Sequence, residues 1–141
     1  MKKYTGTKQL LAAAMALGAY NDYRGWDLPK DEDPNTEGYL VEYTDGGKPN
    51  HKDHQGYISW SPKDVFDKSY HPAETPLDRM LIEGMEILER LKALKALLAG
   101  SKPPFISEKQ WQLLKRQKEH MDAYHDVLNE RIEDLAQELG A

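Results

Sequence analysis

Four polar side chains recur at seven-residue spacing near the end of the chain: Gln110, Gln117, Tyr124 and Arg131. Seven residues are two helical turns less about 20°, so on a helix these groups stay roughly aligned. Two amides, a phenol and a guanidinium make an unusual row, because a face that only meets water usually mixes Glu and Lys. Together they could hold a nucleotide. Arg131 would fork onto phosphate oxygens, Gln117 would hydrogen-bond a base or ribose, and Tyr124 would stack or donate its hydroxyl. Arg79, in the first turn of an earlier helical stretch, adds a cation near a positive helix end. Phe105 follows Pro103 and Pro104, and a ring in such a turn either covers the end of the hairpin or stacks on a base. A plainer account competes: Gln and Tyr suit a helix–helix or subunit interface, where Arg pairs with Glu.

Other chemistries find less support. The chain has no cysteine, which removes disulfides, thiol nucleophiles and thiolate metal sites and fits a reducing compartment. His51 and His54 form an H-x-x-H pair in a loop, a weak metal signal without further ligands nearby. His120 and His125 face different ways on a helix. A di-iron carboxylate bundle needs Glu-x-x-His on two helices, and residues 74–100 hold no histidine. No metal and no cofactor are expected. There is no G-x-S-x-G and no P-loop, and Ser59 and Ser61 with histidines close in sequence hint only weakly at a triad. Glu83, Glu86, Glu89, Asp122, Asp126 and Glu130 read as solvated faces balanced by Lys and Arg, so no carboxylate pair stands apart as catalytic. Arg24-Gly25-Trp26, with Tyr20 and Tyr23, reads as a plug for a sheet rather than a ligand reader.

The elements that must position these groups divide the chain. The first half is rich in Tyr, Gly, Pro and Asp, the second in Leu, Lys, Glu and Gln, with the shift near HPAETP, residues 71–76. The expected fold is α+β: a small antiparallel sheet with short helices over residues 1–72, then an antiparallel two-helix hairpin over 73–141. YLVEY and YISW read as strands, separated by the turn-forming TDGGKPN, and the length of that connection predicts an excursion or bulge. TGTKQLLAAAM is ambiguous: alanine favours helix, yet a strand ending near Met15 would complete a three-stranded sheet. ALGAYNDYRGW fits a short helix broken at Gly25. Ser61 is placed to cap a further helix with Pro62 in its first position.

The first long helix should start with Thr75 as cap and Pro76 in its first position. It should bury Leu77, Met80, Leu81, Met85, Leu88, Leu91, Leu94 and Leu98, and stop at Gly100. Ser107 with Gln110 should form a capping box for the second. The seam of that helix is Trp111, Leu114, Lys118, Met121, His125, Leu128, Ile132, Leu135 and Leu139, with Lys118 and His125 at its wet margin.

The net charge of −5 argues against a DNA- or RNA-binding surface. The run LLAAAMALGAY, residues 10–20, is too short to span a membrane, and its context does not favour a signal peptide. A chain of 141 residues with 39% apolar content has a thin stability margin, which favours oligomers.

Specific stretches carry a resemblance. YTGTK, GAYNDYRGWDLPKDEDPNTEGYLVEYTDGGKPNH and GYISWSPKDVF look like a module of tailed phages or prophages. PPFISEKQWQLLKRQKEHMDAYHDVLNERI resembles the helical core of phage anti-CBASS cyclic-nucleotide sponges in its Phe, Leu-Leu-x-x-Gln, Met-x-x-Tyr and Leu-x-x-Arg-Ile positions. A small sheet followed by this hairpin is similar to the first family of Thoeris anti-defence proteins. Those phage proteins sequester cyclic ADP-ribose signals made by TIR-domain enzymes, and some also hold cyclic trinucleotides in separate pockets.

The resemblance covers nearly the whole chain. It implies sequestration in the host cytoplasm, binding without catalysis, and a homo-oligomer, a hexamer built as a trimer of dimers with pockets between subunits. Under it, Phe105 matches the aromatic that stacks on the ADP-ribose signal, and Arg79 and Arg131 match arginines around cyclic-trinucleotide phosphates. Gln117 and Tyr124 join from the row above. Where that pattern expects a polar ligand contact about ten residues after the Phe, this chain has Lys115 or Arg116, a departure that bears on ligand choice. Two other readings stand beside it: a helical-hairpin interaction or assembly protein of a phage with no small-molecule ligand, and a phosphodiesterase-like enzyme.

Overall fold

A computed structural model describes residues 1–140. In chain order the elements are β1 (Leu10–Ala14), α1 (Leu17–Arg24), β2 (Gly38–Tyr43), β3 (Tyr57–Pro62), α2 (Lys63–Ser69), α3 (Pro76–Leu98) and α4 (Glu108–Gly140). The fold is α+β as expected, an antiparallel three-stranded sheet with short helices followed by a helical pair. The chain forms two compact units, Met1–Tyr70 and a second from His71 onward. Among the described residues no helix is long and apolar enough to cross a membrane.

In the first unit the strands lie in the order β1-β2-β3. The ambiguous alanine-rich segment is a strand: Leu10–Ala14 pairs with Tyr43–Tyr39 of β2. The ladder with β2 outweighs the helix propensity of alanine, which is a weak prior beside tertiary pairing. Leu40 and Trp60 pair across β2 and β3 and, with Ile58, face α1, whose Tyr20 completes the buried cluster together with Met15. Tyr39 points to the opposite face and stacks on Phe66 of α2 at 4.2 Å. A side chain at Gly38 would strike the Trp60 ring at 2.3 Å, so this register needs glycine there. The Trp60 indole N–H donates to the Met15 carbonyl at 2.8 Å.

α1 ends as expected. Gly25 is left-handed, φ +71°, and its N–H and that of Trp26 donate to the Asp22 and Asn21 carbonyls. The start of α2 differs from expectation by one residue. Pro62 belongs to the end of β3, paired with Gly38, and acts as the extended N-cap, while Ser61 makes no cap bond. An edge strand tolerates proline because it needs no donor on its outer side.

In the second unit, Thr75 and Asp78 form a full capping box with Pro76 at the helix start. α3 ends at Leu98 with Ala99 as a right-handed cap. Gly100 is not the expected left-handed stop, since the positive-φ glycines are Gly25, Gly46 and Gly47. The unbroken helix simply runs out before Pro103 and Pro104. Ser107 caps α4 by accepting the Gln110 N–H at 3.1 Å.

α3 and α4 run antiparallel. Gly84 faces Leu128 and Ile132, and Lys95, further along α3, meets Asp122, earlier on α4, at 2.8 Å. The buried set on α3 is Met80, Gly84, Leu91 and Leu94, narrower than the broad face expected. Leu81 and Met85 are exposed, because a single partner helix covers one stripe and the sequence places a glycine at its centre. On α4, Trp111 and Leu128 are buried, and Leu114, Met121, His125, Ile132 and Leu135 are half-buried. Leu139, assigned to the seam, is exposed at the open end of the pair. Lys118 does sit at the margin, 3.6 Å from Asp122.

Candidate functional site

The row on α4 lies open. Gln110, Gln117, Tyr124 and Arg131 are all exposed, although the seam beside them packs on α3. Helical period explains both: residues one step off the seam border the partner helix without being covered by it. Gln117 donates to the sulfur of Met121 one turn on. Tyr124, 46% exposed, reaches across the hairpin and donates its hydroxyl to the Glu83 carboxylate of α3.

The Glu83 bond holds the Tyr124 phenol above its ordinary pKa, since ionising it would set two anions together. Partial desolvation adds to this, and the positive charge of Arg131 opposes it. Among the described residues no carboxylate lies within 4.0 Å of the Arg131 guanidinium.

Arg79 stands one turn before Glu83 on α3, exposed, with Nη1 donating to the Ala73 and Glu74 carbonyls at 3.4 and 3.2 Å. Because the helices are antiparallel, the step from Glu83 to Arg79, about 6 Å, and the step from Tyr124 to Arg131, about 10 Å, run the same way. The two guanidiniums thus lie beyond the phenol–carboxylate contact, toward the open end of the hairpin. Glu83 was read from sequence as part of a solvated face. Its partner is 41 positions away, and no local pattern signals that pairing.

Phe105 lies elsewhere. It is 86% exposed in the tight turn closed by the Ile106 N–H to the Pro103 carbonyl at 3.1 Å and by Lys102 donating to Ile106 at 2.7 Å. From the start of α4 to Arg131 is roughly 35 Å along the axis. One small ligand cannot touch Phe105 and Arg131 of the same protomer. The candidate residues therefore form two groups: Arg79, Tyr124 and Arg131, with Gln117 one step along, and Phe105 alone at the turn. Lys115 and Arg116 are exposed, and Lys115 sits 5.8 Å over the Trp111 ring.

Asp122, also read as merely solvated, bridges the helices. The Lys95 hydrogen bond holds its carboxyl below the usual range against some desolvation, and the charges of Lys95 and Lys118 act in the same direction. In the first unit the H-x-x-H pair is engaged by protein groups. Tyr23 Oη and His54 Nε2 are 2.7 Å apart, His54 Nδ1 contacts Glu42, and His51 stacks on Tyr23 at 4.4 Å. Among the described residues no group of three His, Cys, Asp or Glu is arranged to hold a metal. Tyr20 plugs the sheet as expected, whereas Trp26 is 52% exposed.

Comparison with known proteins returns one family. No curated protein and no solved structure matches the chain. Residues 74–134 match the family model described as Sequestin, a stretch that runs from just before the α3 cap to the last turns of α4 and contains Arg79, Phe105, Gln117, Tyr124 and Arg131. The hairpin, rather than the sheet unit, is what is similar to that family.

Proposed function

We propose that this chain is a phage anti-defence protein whose hairpin sequesters cyclic nucleotide immune signals, cyclic ADP-ribose isomers and cyclic trinucleotides, and releases them chemically unchanged. The observation that carries this reading is the exposed guanidinium of Arg131, without a carboxylate partner and in one helical row with Gln117 and Tyr124, with Arg79 toward the same end of the hairpin, inside the stretch similar to Sequestin. The name Sequestin itself denotes sequestration. A guanidinium of this kind is suited to a bidentate phosphate contact.

A sponge works by mass action and needs a tight site, about −12 kcal/mol at nanomolar Kd. An open face on one protomer cannot enclose a ligand to that degree. A second copy of the hairpin supplies the remaining wall, which fits the hexamer and the pockets between subunits that the resemblance implies. Phe105, too distant to share a ligand with Arg131 in its own chain, then serves a different pocket or a neighbouring protomer's. Binding without cleavage is the chemistry proposed for these groups, with the Tyr124 hydroxyl held by the Glu83 carboxylate.

The test is a release assay. Purified protein is incubated with cyclic ADP-ribose or a cyclic trinucleotide, washed and heat-denatured, and the freed ligand is identified by mass spectrometry. Intact ligand is the expected outcome, whereas linear product would make the protein an enzyme. Arg131→Ala should abolish retention of one signal class, and Phe105→Ala that of the other, without changing the oligomer seen by light scattering. If neither signal class is retained by the wild-type protein, the alternative holds: a hairpin whose exposed row packs against another protein.

A further inference from the structure

The sheet unit holds a cleft of about 520 Å³ between α1 and β3, outside the stretch similar to Sequestin. Its walls include Tyr20, Arg24, Trp26, Asn50, Tyr57 and Trp60. We propose that this cleft binds a small aromatic oxyanion, a planar ring bearing a carboxylate or a phosphate, independently of anything the hairpin binds.

The argument starts from the polar groups of the wall. Asn50 has both ends of its amide committed, donating to the Ile58 carbonyl at 2.8 Å and accepting the Ile58 N–H at 2.7 Å. The Trp60 indole N–H is taken by Met15. The Asn21 side-chain N–H donates to the Leu17 carbonyl, and the Asp22 and Asn21 carbonyls accept the Gly25 and Trp26 N–H groups.

Arg24 differs from all of these. It is half-buried and permanently charged, and among the described residues no carboxylate lies within 4.0 Å of it. Its guanidinium lies on the Trp26 ring at 4.3 Å, and its hydrogen bond to Tyr20 Oη at 3.3 Å uses one of five N–H groups. A half-buried cation that rests on an indole and has no carboxylate partner is suited to fork onto an oxyanion.

The remaining wall is aromatic. Trp26 and Tyr57 are both large and exposed, with Trp60 beside them, and such rings favour a flat partner. The volume lies within the range of small-ligand pockets, about 300–1,000 Å³. Aromatic carboxylates and nucleoside monophosphates share the required chemistry.

The full-length protein, labelled with ¹⁵N, is titrated with benzoate and with AMP, and with their uncharged counterparts benzyl alcohol and adenosine. The three indole N–H resonances report separately, because Trp111 belongs to the hairpin. Saturable shifts of Trp26 and Trp60 with at least one anion are expected, with the uncharged partner at least tenfold weaker. Benzoate alone would identify a carboxylate ligand, AMP alone a phosphate ligand, and both the shared oxyanion. Arg24→Gln should weaken binding at least tenfold. Should Arg24→Gln disturb the packing on Trp26, Arg24→Lys keeps the charge without the fork and should still bind severalfold more weakly. The proposal is overturned if neither anion shifts Trp26 and Trp60 saturably, if the uncharged compounds bind equally well, or if both Arg24 variants bind like wild type.

Discussion

Gly84 lies buried at the centre of the α3–α4 contact, and alanine there should stabilise the protein. A Cβ at this position would sit 3.7 Å from Ile132 Cδ1 and 3.8 Å from Leu128 Cδ2, ordinary van der Waals distances. Replacing glycine within a helix recovers about 1 kcal/mol of propensity. Burying one methyl adds up to about 0.8 kcal/mol, so Gly84→Ala should gain about 1–2 kcal/mol. Gly84→Leu should lose stability, because the same neighbours leave no room for further atoms and overpacking costs about 1–3 kcal/mol. Urea unfolding followed by helical circular dichroism, at one fixed protein concentration, reads both. For Gly84→Ala the midpoint should rise by up to roughly 1 M with unchanged slope. A lowered midpoint for the alanine variant would refute the reasoning. It would mean that the helices close more tightly in solution, or that another chain inserts into the notch that the glycine leaves.

Three further outcomes are expected. Tyr124 should ionise at higher pH than an ordinary phenol, and Glu83→Gln should return it toward the usual value in a difference ultraviolet titration; because its folded pKa is raised, the contact contributes stability below the ordinary phenol pKa and loses it as pH rises through the raised one. Asp122 has the opposite sign: its folded pKa is lowered, chiefly by Lys95, so its contribution is present above the usual carboxylate pKa and lost as pH falls through the lowered one, and Asp122→Asn should flatten the acid limb of a melting-temperature profile. Glu83→Gln should also tighten binding of a phosphate-bearing ligand roughly twofold at low salt, since it removes a like charge beside the guanidiniums at a separation where water still screens. Calorimetry would detect that gain, and weaker binding would show Glu83 to be part of the ligand site.

Much of the fold was legible in local chemistry. Thr75-Pro76-x-Asp78 marks the start of α3 because its capping bonds close within three residues, and Gly25 marks the end of α1 because only a left-handed residue fits there. Nonlocal pairing was harder to read. β1 is a strand on account of what it pairs with, not because of LLAAA itself. Leu81 and Met85 fit the helical period of a buried face, but how far α4 wraps around α3 is a tertiary fact. The exposed row was visible as a spacing. Its Glu83 partner, the two guanidiniums pointing the same way and the remoteness of Phe105 follow only from the antiparallel register of the hairpin. The packing of Arg24 on Trp26 was masked by the reading of RGW as a plug, which is true of Tyr20 and not of Trp26.

The two rims of the small sheet are finished differently. Along β3, the Asn50 carboxamide imitates a neighbouring backbone and occupies both main-chain groups of Ile58. β1 presents Leu10–Ala14 as the other rim, with four of its five residues exposed and neither proline nor charge within it. A rim of that composition is a ready template for an incoming strand. Strand-to-strand aggregation at high concentration should therefore involve β1, and a lysine in place of Ala12 or Ala14 is the simplest safeguard.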